Sequence, residues 1–310
     1  MIPGMRTGKG SSRMAKLKVR LASPWDACVH TERAILNREF SVAEADALLS
    51  IWSPCDELLA FPRRKAWYCC EPSCQFRVIE GGRWATLRAR LDRSEFLHHA
   101  HPEARFRVPH VTHFEPLSMN VAGNRRARAI AIVSNHGGSP LTRHRDLSFR
   151  NHMVTGDGVD LFGRAGWASY RASAWSRRRA PANYQGELPG DWSDTAKRSV
   201  MSTYKVCVCL ENMNEFGYFS EKFVEAVVAG CIPVYRASAD IRDTVLQGAR
   251  WFDPADARWP GRAAIAAALD ANLADVQQAN LEWLQNSASL AATHSHSVFE
   301  KLVDALFPDA

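Results

Sequence analysis

Two short, nearly continuous apolar runs constrain this chain more than any other feature: residues 128–133 (RAIAIV) and 204–210 (YKVCVCL). A strand with one solvated face alternates apolar and polar residues, whereas a strand buried on both faces does not. Ser134-Asn135 closes the first run, and residues 141–153 then have helical character. Residues 158–163 read as a further strand, 220–229 as a helix and 231–235 as a strand ending in turn residues. Strand, helix, strand in that rhythm predicts βαβ units and a doubly wound α/β domain. Residues 164–192 read as loop-rich, alanine-rich helices fill 262–290, and 297–307 read as a closing amphipathic helix.

The first half is less regular. Residues 1–14 combine Gly, Ser and charge without periodicity and read as a flexible basic tail, while 16–22 (KLKVRLA) alternate into a first strand. Ser41-Val42-Ala43-Glu44 has the form of a capping box, and Ala45, Leu48, Leu49 and Trp52 follow at helical spacing, so a helix is expected there. A short strand at 66–70 runs into Glu71-Pro72, residues 84–91 look helical, and 100–117 look like irregular linking chain. The expected organisation is a tail (1–14), an N-terminal domain (15–125), a second domain (126–288) and a C-terminal helix (289–310).

Composition excludes several classes. With 310 residues, 46% hydrophobic and 23% charged, the chain is neither disordered nor a disulfide scaffold, and it is long enough for two domains. No apolar run approaches the roughly 20 residues of a membrane span, and the basic start lacks the apolar core of a leader. A soluble, cytoplasmic protein is expected. Lys plus Arg outnumber Asp plus Glu by 39 to 33, which suits a polyanion, a phosphorylated ligand or an anionic membrane surface without choosing among them. The run Arg177-Arg178-Arg179 reads as solvated loop. The interleaved aromatics of a nucleic-acid platform are missing, so nucleic acid is not an expected partner. None of the eight cysteines forms a CxxC pair, which argues against a zinc module. Cys207, Cys209 and Cys231 sit in strand-like runs and read as buried, reduced thiols. The histidines at 98, 99, 101, 110 and 113 read as surface imidazoles. Gly4 to Lys9 falls one residue short of a P-loop, with no strand before it.

The stretch 204–235 carries the chemistry. Its first strand ends at Glu211-Asn212, which therefore emerge at the carboxyl edge of a parallel sheet, where ligands of open α/β sheets bind. A loop containing Gly217 leads to Ser220, a natural N-cap, with Glu221 and Lys222 in the first helical turn. Lys222 is a cation at the positive end of a helix, a cost that a bound phosphate would offset. Glu221 beside it suits ribose hydroxyls. The plainer alternative is a capped helix between two core strands, with both side chains merely solvated.

The same residues resemble the signature of the inverting α1,3/4-fucosyltransferases, glycosyltransferase family 10. The matching pieces are Glu211-Asn212, Gly217-Tyr218, Ser220-Glu221-Lys222, Ala229-Gly230 and Pro233-Val234-Tyr235. Upstream, Ile132-Val133-Ser134-Asn135, Arg143 and Val159-Asp160-Leu161-Phe162-Gly163-Arg164 are similar to a second block of that family. Phe106-Arg107-Val108-Pro109 resembles its strand before the linker, and residues 66–72 resemble the segment that holds its acceptor-side glutamate. The resemblance spans about 66–285 and is strongest over 204–235. Ser220 replaces a usual Thr, and Arg236-Ala237 stand where a Trp-Gly or similar pair often follows. The loop between Asn135 and Arg143 is longer than usual, so Arg145 competes with Arg143 for the phosphate role.

What the resemblance implies is a GT-B fold, two Rossmann-like domains facing across a cleft, with the donor on the C-terminal one. It implies transfer of L-fucose from GDP-fucose, with an α1,3-type linkage, to an N-acetylglucosamine-containing glycan. The implied donor-binding residues are Asn135, Arg143, Glu211, Asn212, Tyr218, Glu221 and Lys222, and Glu71 is the implied base, ahead of Glu80 and Glu95. An inverting transfer needs a base for the acceptor hydroxyl and positive charge for the departing diphosphate. The sequence has no Asp-x-Asp pair, so no metal is expected to be obligatory, although a divalent ion could stimulate. Peripheral contact with an anionic inner-membrane surface fits the basic balance. The alternatives are a GT-B transferase using another nucleotide sugar and a non-catalytic sugar-nucleotide or polyanion-binding protein.

Overall fold

A computed structural model describes residues 18–22, 40–51, 55–69, 96–98, 112, 117–121, 123–134, 136–137, 144–188 and 194–306. The chain divides into two compact units: one from the described residues within Met1–Glu115 and Ala291–Ala310, the other Pro116–Leu290. The segments expected as tail (1–14) and helix (84–91) lie outside the described residues, as do all but positions 112 and 117 of the expected linking chain.

The first unit is built on a parallel sheet of β1 (Val19–Ala22), β2 (Ala47–Ile51), β3 (Arg64–Cys69) and β4 (Phe96–His98), in that spatial order. A short helix, α1 (Asp56–Ala60), joins β2 to β3. The helix expected after Ser41 does not form. The Glu44 carboxylate does accept from Ser41 N at 3.1 Å and Ser41 Oγ at 2.6 Å, but these bonds close only a turn. Residues 47–51 then run as a strand with all five positions buried. Ala47, Leu49 and Ile51 pack with Tyr68 and with Val298, Phe299 and Leu302 of the helix Ser295–Leu306. Leu48 points to the opposite cluster, against Leu58, Phe61 and Trp67. Covering both faces makes the strand a solid apolar run, which over a few residues cannot be told from helical spacing.

The second unit follows the expected rhythm. Its elements are β5 (Arg126–Ile132), α2 (Arg145–Val154), β6 (Val159–Phe162), β7 (Tyr184–Gly186), α3 (Asp194–Met201), β8 (Tyr204–Val208), α4 (Glu221–Val228), β9 (Ile232–Val234), α5 (Ala239–Asp243), α6 (Ala263–Asp270) and α7 (Leu273–Asn286). The strands form one parallel sheet in the order β7-β6-β5-β8-β9. Val206 and Val208 of β8 join Ala129, Ala131 and Leu161 on one face. Cys207, with Cys209 just past the strand, joins Ile130, Phe223 and Val227 on the other. Both faces are dry, and the continuous apolar runs follow from that. Pro233 is tolerated because β9 ends the sheet, bordered by a single bridge from Val234 to Phe252.

Two local devices fix the frame. Near the amino end of the sheet, buried Asp160 on β6 pairs with Arg128 Nη2 at 2.5 Å and accepts from the Tyr204 hydroxyl at 3.0 Å, tying β5, β6 and β8 together. At the end of α4, Gly230 has φ +75°, and a Cβ there would lie 2.0 Å from the Asn120 carbonyl oxygen. Both the backbone angle and the close approach require glycine. Gly230→Ala is expected to destabilise the protein by roughly 2–4 kcal/mol, combining left-handed strain with overpacking. Urea unfolding measures it, and a loss below roughly 0.5 kcal/mol would show that the 117–121 segment yields freely.

Candidate functional site

From β5 the chain steps outward to β6 and β7, then returns to lay β8 on the other side of β5. The β5–β8 boundary is thus the topological switch point, where connections diverge and leave a crevice at the carboxyl edge. The end of β8 delivers Leu210, Glu211 and Asn212 to that edge.

Glu211 is buried, with its side chain 3% exposed. Its carboxylate accepts from Ser220 N at 2.8 Å, from Ser220 Oγ at 2.8 and 2.7 Å, and from the Tyr235 hydroxyl at 3.2 Å. Lys222 Nζ lies 3.2 Å away. One side chain therefore fastens the end of β8, the start of α4 and the residue after β9. Burial and the neighbouring Glu211 charge push the Tyr235 phenol well above its ordinary pKa, so it remains a donor.

Ser220 occupies the N-cap position of α4, but its hydroxyl does not cap the helix. Instead it donates to Glu211 and accepts from Lys222 Nζ at 2.8 Å. Lys222 also lies 3.4 Å from the Glu221 carboxylate, whose side chain is 41% exposed. Burial alone would pull the Lys222 pKa down; the charges of Glu211 and Glu221 outweigh it and hold the ammonium well above the ordinary lysine value. Its contribution to stability is complete below the unfolded lysine pKa and is lost only as pH rises through the raised folded value, so it is constant through neutral pH. The cation at the positive helix end is thus compensated within the protein by Glu211 and Glu221. Tyr218 is buried nearby. Gly217, at φ +73°, donates its N–H to Asp240 at 2.7 Å.

A second cluster adjoins the first. Asn212 accepts from Arg150 of α2, a buried arginine that also bonds Asn151 at 3.1 Å. Asn151 in turn donates to the His136 carbonyl at 2.7 Å, steadying the chain just beyond β5. Asp146, in the first turn of α2, accepts from Asn214 N at 3.0 Å and pairs with Arg236 at 3.0 Å. Arg236 stacks over the Phe149 ring at 5.2 Å. His144 caps α2, its Nδ1 accepting from Asp146 N at 3.2 Å, and Arg145 beside it is exposed.

Of the expected site residues, Glu211, Asn212, Tyr218, Glu221 and Lys222 come together at this edge, and Arg145 stands at the start of α2. Glu71, Asn135 and Arg143 lie outside the described residues, as do Glu80 and Glu95. The sequence reading missed Tyr235 as a partner of Glu211 and missed the Asp146–Arg236 and Arg150–Asn212 pairs. One signal was present: Asp146 and Arg150 are four residues apart and share a helix face. Among the described residues no group of His, Cys, Asp and Glu side chains is arranged to hold a metal ion.

Among solved structures, the chain is similar to a crystal structure of an α1,3-fucosyltransferase, at 14% identity and a TM-score of 0.53, over 95% of this chain and 91% of that one. The α1,3-fucosyltransferase solved with GDP gives the same figures. A UDP-forming α,α-trehalose-phosphate synthase from Burkholderia xenovorans, in complex with glucose-6-phosphate, aligns at 13% identity over 89% of this chain and 76% of that one, with a TM-score of 0.47. No protein-family profile matches the chain, and no curated protein sequence matches it. The fold is α/β of the GT-B type, with two Rossmann-like domains.

Proposed function

We propose that this chain is an inverting glycosyltransferase that moves L-fucose from GDP-fucose to a glycan hydroxyl, in an α1,3-type linkage on an N-acetylglucosamine-containing acceptor. The observation that carries the reading is the Glu211–Ser220–Lys222 network at the carboxyl edge beside the switch point. It holds a charged ammonium at the start of α4, an eight-residue helix whose N-cap side chain is not spent on the helix amides. Oriented N–H groups and a fixed cation together form an anion-binding arrangement suited to a diphosphate. Glu221, half-exposed next to it and touching Lys222, offers a carboxylate to ribose hydroxyls. GDP is the nucleotide in the α1,3-fucosyltransferase structure of like fold.

In this reading 126–288 is the donor domain, 15–125 the acceptor-side domain, and 289–310 a C-terminal helix. Asn135, Asn212 and Tyr218 line the donor, with Arg143 or its neighbour Arg145 on the diphosphate. Glu71 accepts the proton of the acceptor hydroxyl as its oxygen attacks the anomeric carbon from the face opposite the nucleotide. The bond from that carbon to the β-phosphate oxygen breaks, the configuration inverts, and GDP leaves with its new charge met by Lys222, arginine and the α4 amides. No metal is obligatory in this scheme, and a divalent ion has room only as a stimulant. The enzyme works in the cytoplasm and touches an anionic membrane surface peripherally.

GDP and GDP-fucose should raise the unfolding temperature, and UDP-sugars or duplex DNA should not. Lys222→Ala should weaken GDP binding by about 1.5–3 kcal/mol, the worth of a charge-assisted contact. Stabilisation by UDP-sugars alone would move the protein to another donor, and nucleotide binding without any transfer would make it a binding protein. Glu71→Gln should cut transfer by roughly 10²-fold or more while leaving GDP binding intact. Near-normal turnover in that variant would move the base to Glu80 or Glu95.

A further inference from the structure

From Leu161 to Gly186 the chain contains no Asp or Glu, yet it carries Arg164, Arg171, Arg177, Arg178 and Arg179. Within this stretch a loop of residues 170–179 leaves the 3-10 turn Ala165–Ser169 and returns toward β7. The loop is closed at its base, where Arg179 N donates to the Tyr170 carbonyl at 3.0 Å. Its tip is tied as well. Ser176 Oγ donates to the Ser173 carbonyl at 2.9 Å and accepts from Ser173 N at 3.0 Å. The Arg171 guanidinium is spent inside the loop, on the carbonyls of Ser176 at 3.0 Å and of Ala174. What this stapled turn holds outward is Trp175, 95% exposed, the most exposed of the large hydrophobic side chains described.

An indole fully in water forgoes the large burial that aromatic side chains ordinarily gain. The hydrogen bonds just named hold it there, so its exposure is built into the turn. One residue beyond it, after Ser176, stand Arg177, Arg178 and Arg179, all exposed, their guanidinium groups without a hydrogen bond or ion pair among the described residues. Small apolar residues, Ala172, Ala174, Ala180 and Pro181, fill the flanks. A single amphipathic ring beside unneutralised arginines fits the headgroup region of a bilayer. There tryptophan settles at the interface and arginine binds lipid phosphates. Single-stranded nucleic acid asks instead for several stacking rings along a groove.

We infer that the 170–179 loop is the surface by which this protein attaches to an anionic phospholipid bilayer, Trp175 inserting among the headgroups and Arg177, Arg178 and Arg179 pairing with their phosphates. This deepens the membrane contact of the function proposed above and does not depend on which sugar is transferred.

Flotation of the full chain with vesicles tests this. It should float with phosphatidylcholine vesicles containing phosphatidylglycerol, not with phosphatidylcholine alone, and less as salt rises. Replacing Arg177, Arg178 and Arg179 together by Gln should weaken partitioning by about 100-fold, near fivefold for each charge. Trp175→Ala should weaken it by roughly tenfold. Both variants should keep the circular dichroism and unfolding temperature of the parent, because none of the replaced side chains holds the loop together. Undiminished flotation of both variants overturns the inference and hands the contact to the basic N-terminal residues. Capture by heparin or duplex DNA with no flotation also overturns it. GDP stabilisation measured on the same samples reports separately on the transferase reading, so either can fail without the other.

Discussion

Burying an ionised carboxylate at the end of β8 costs several kcal/mol unless donors surround it. The protein meets that demand by bringing the ends of three elements to Glu211. The backbone and hydroxyl of Ser220, the phenol of Tyr235 and the ammonium of Lys222 all converge on it. Satisfying one side chain thereby sets where α4 begins, where β9 ends and which way Lys222 points. The neighbouring pairs extend the constraint to α2: Arg150 reaches Asn212, and Asp146 reaches both Asn214 and Arg236. Side-chain bonds from α2, α4 and the end of β9 thus cross-link the edge beside the switch point, the preorganisation on which the proposed stabilisation of a departing diphosphate relies.

How much of this was legible depends on the range of the interactions. The strands β5 and β8 were readable because both faces of the sheet are dry, and an apolar run of that length leaves little else. The same logic misled at 45–52. There Ala45, Leu48 and Leu49 suit a helix face equally well, and only packing against the distant helix Ser295–Leu306 makes β2 a strand. A contact more than two hundred positions away leaves no local trace.

The site divides in the same way. Glu211, Glu221 and Lys222 were readable because they fall within twelve residues around a strand end and a helix start. Ser220 was placed correctly at the cap, but its hydroxyl serves Glu211, and no rule of capping foretells that exchange. The Arg150–Asn212 and Asp146–Arg236 pairs join residues 62 and 90 positions apart. Arg236 stood out in the sequence only as a departure from the resembling family, and its partner on α2 accounts for its presence.

In the proposed function Glu211 holds Lys222 in position for a nucleotide diphosphate. A double-mutant cycle of Glu211→Gln and Lys222→Met, read by GDP affinity and by urea unfolding, tests that coupling. Each single substitution is expected to weaken GDP binding, and the double variant to bind no worse than Lys222→Met alone. In unfolding, the pair should couple by about 1–3 kcal/mol. Strictly additive losses in GDP affinity, with coupling below about 0.5 kcal/mol, would mean that Glu211 and Lys222 act independently. That result would contradict the proposed role of Glu211 at the nucleotide.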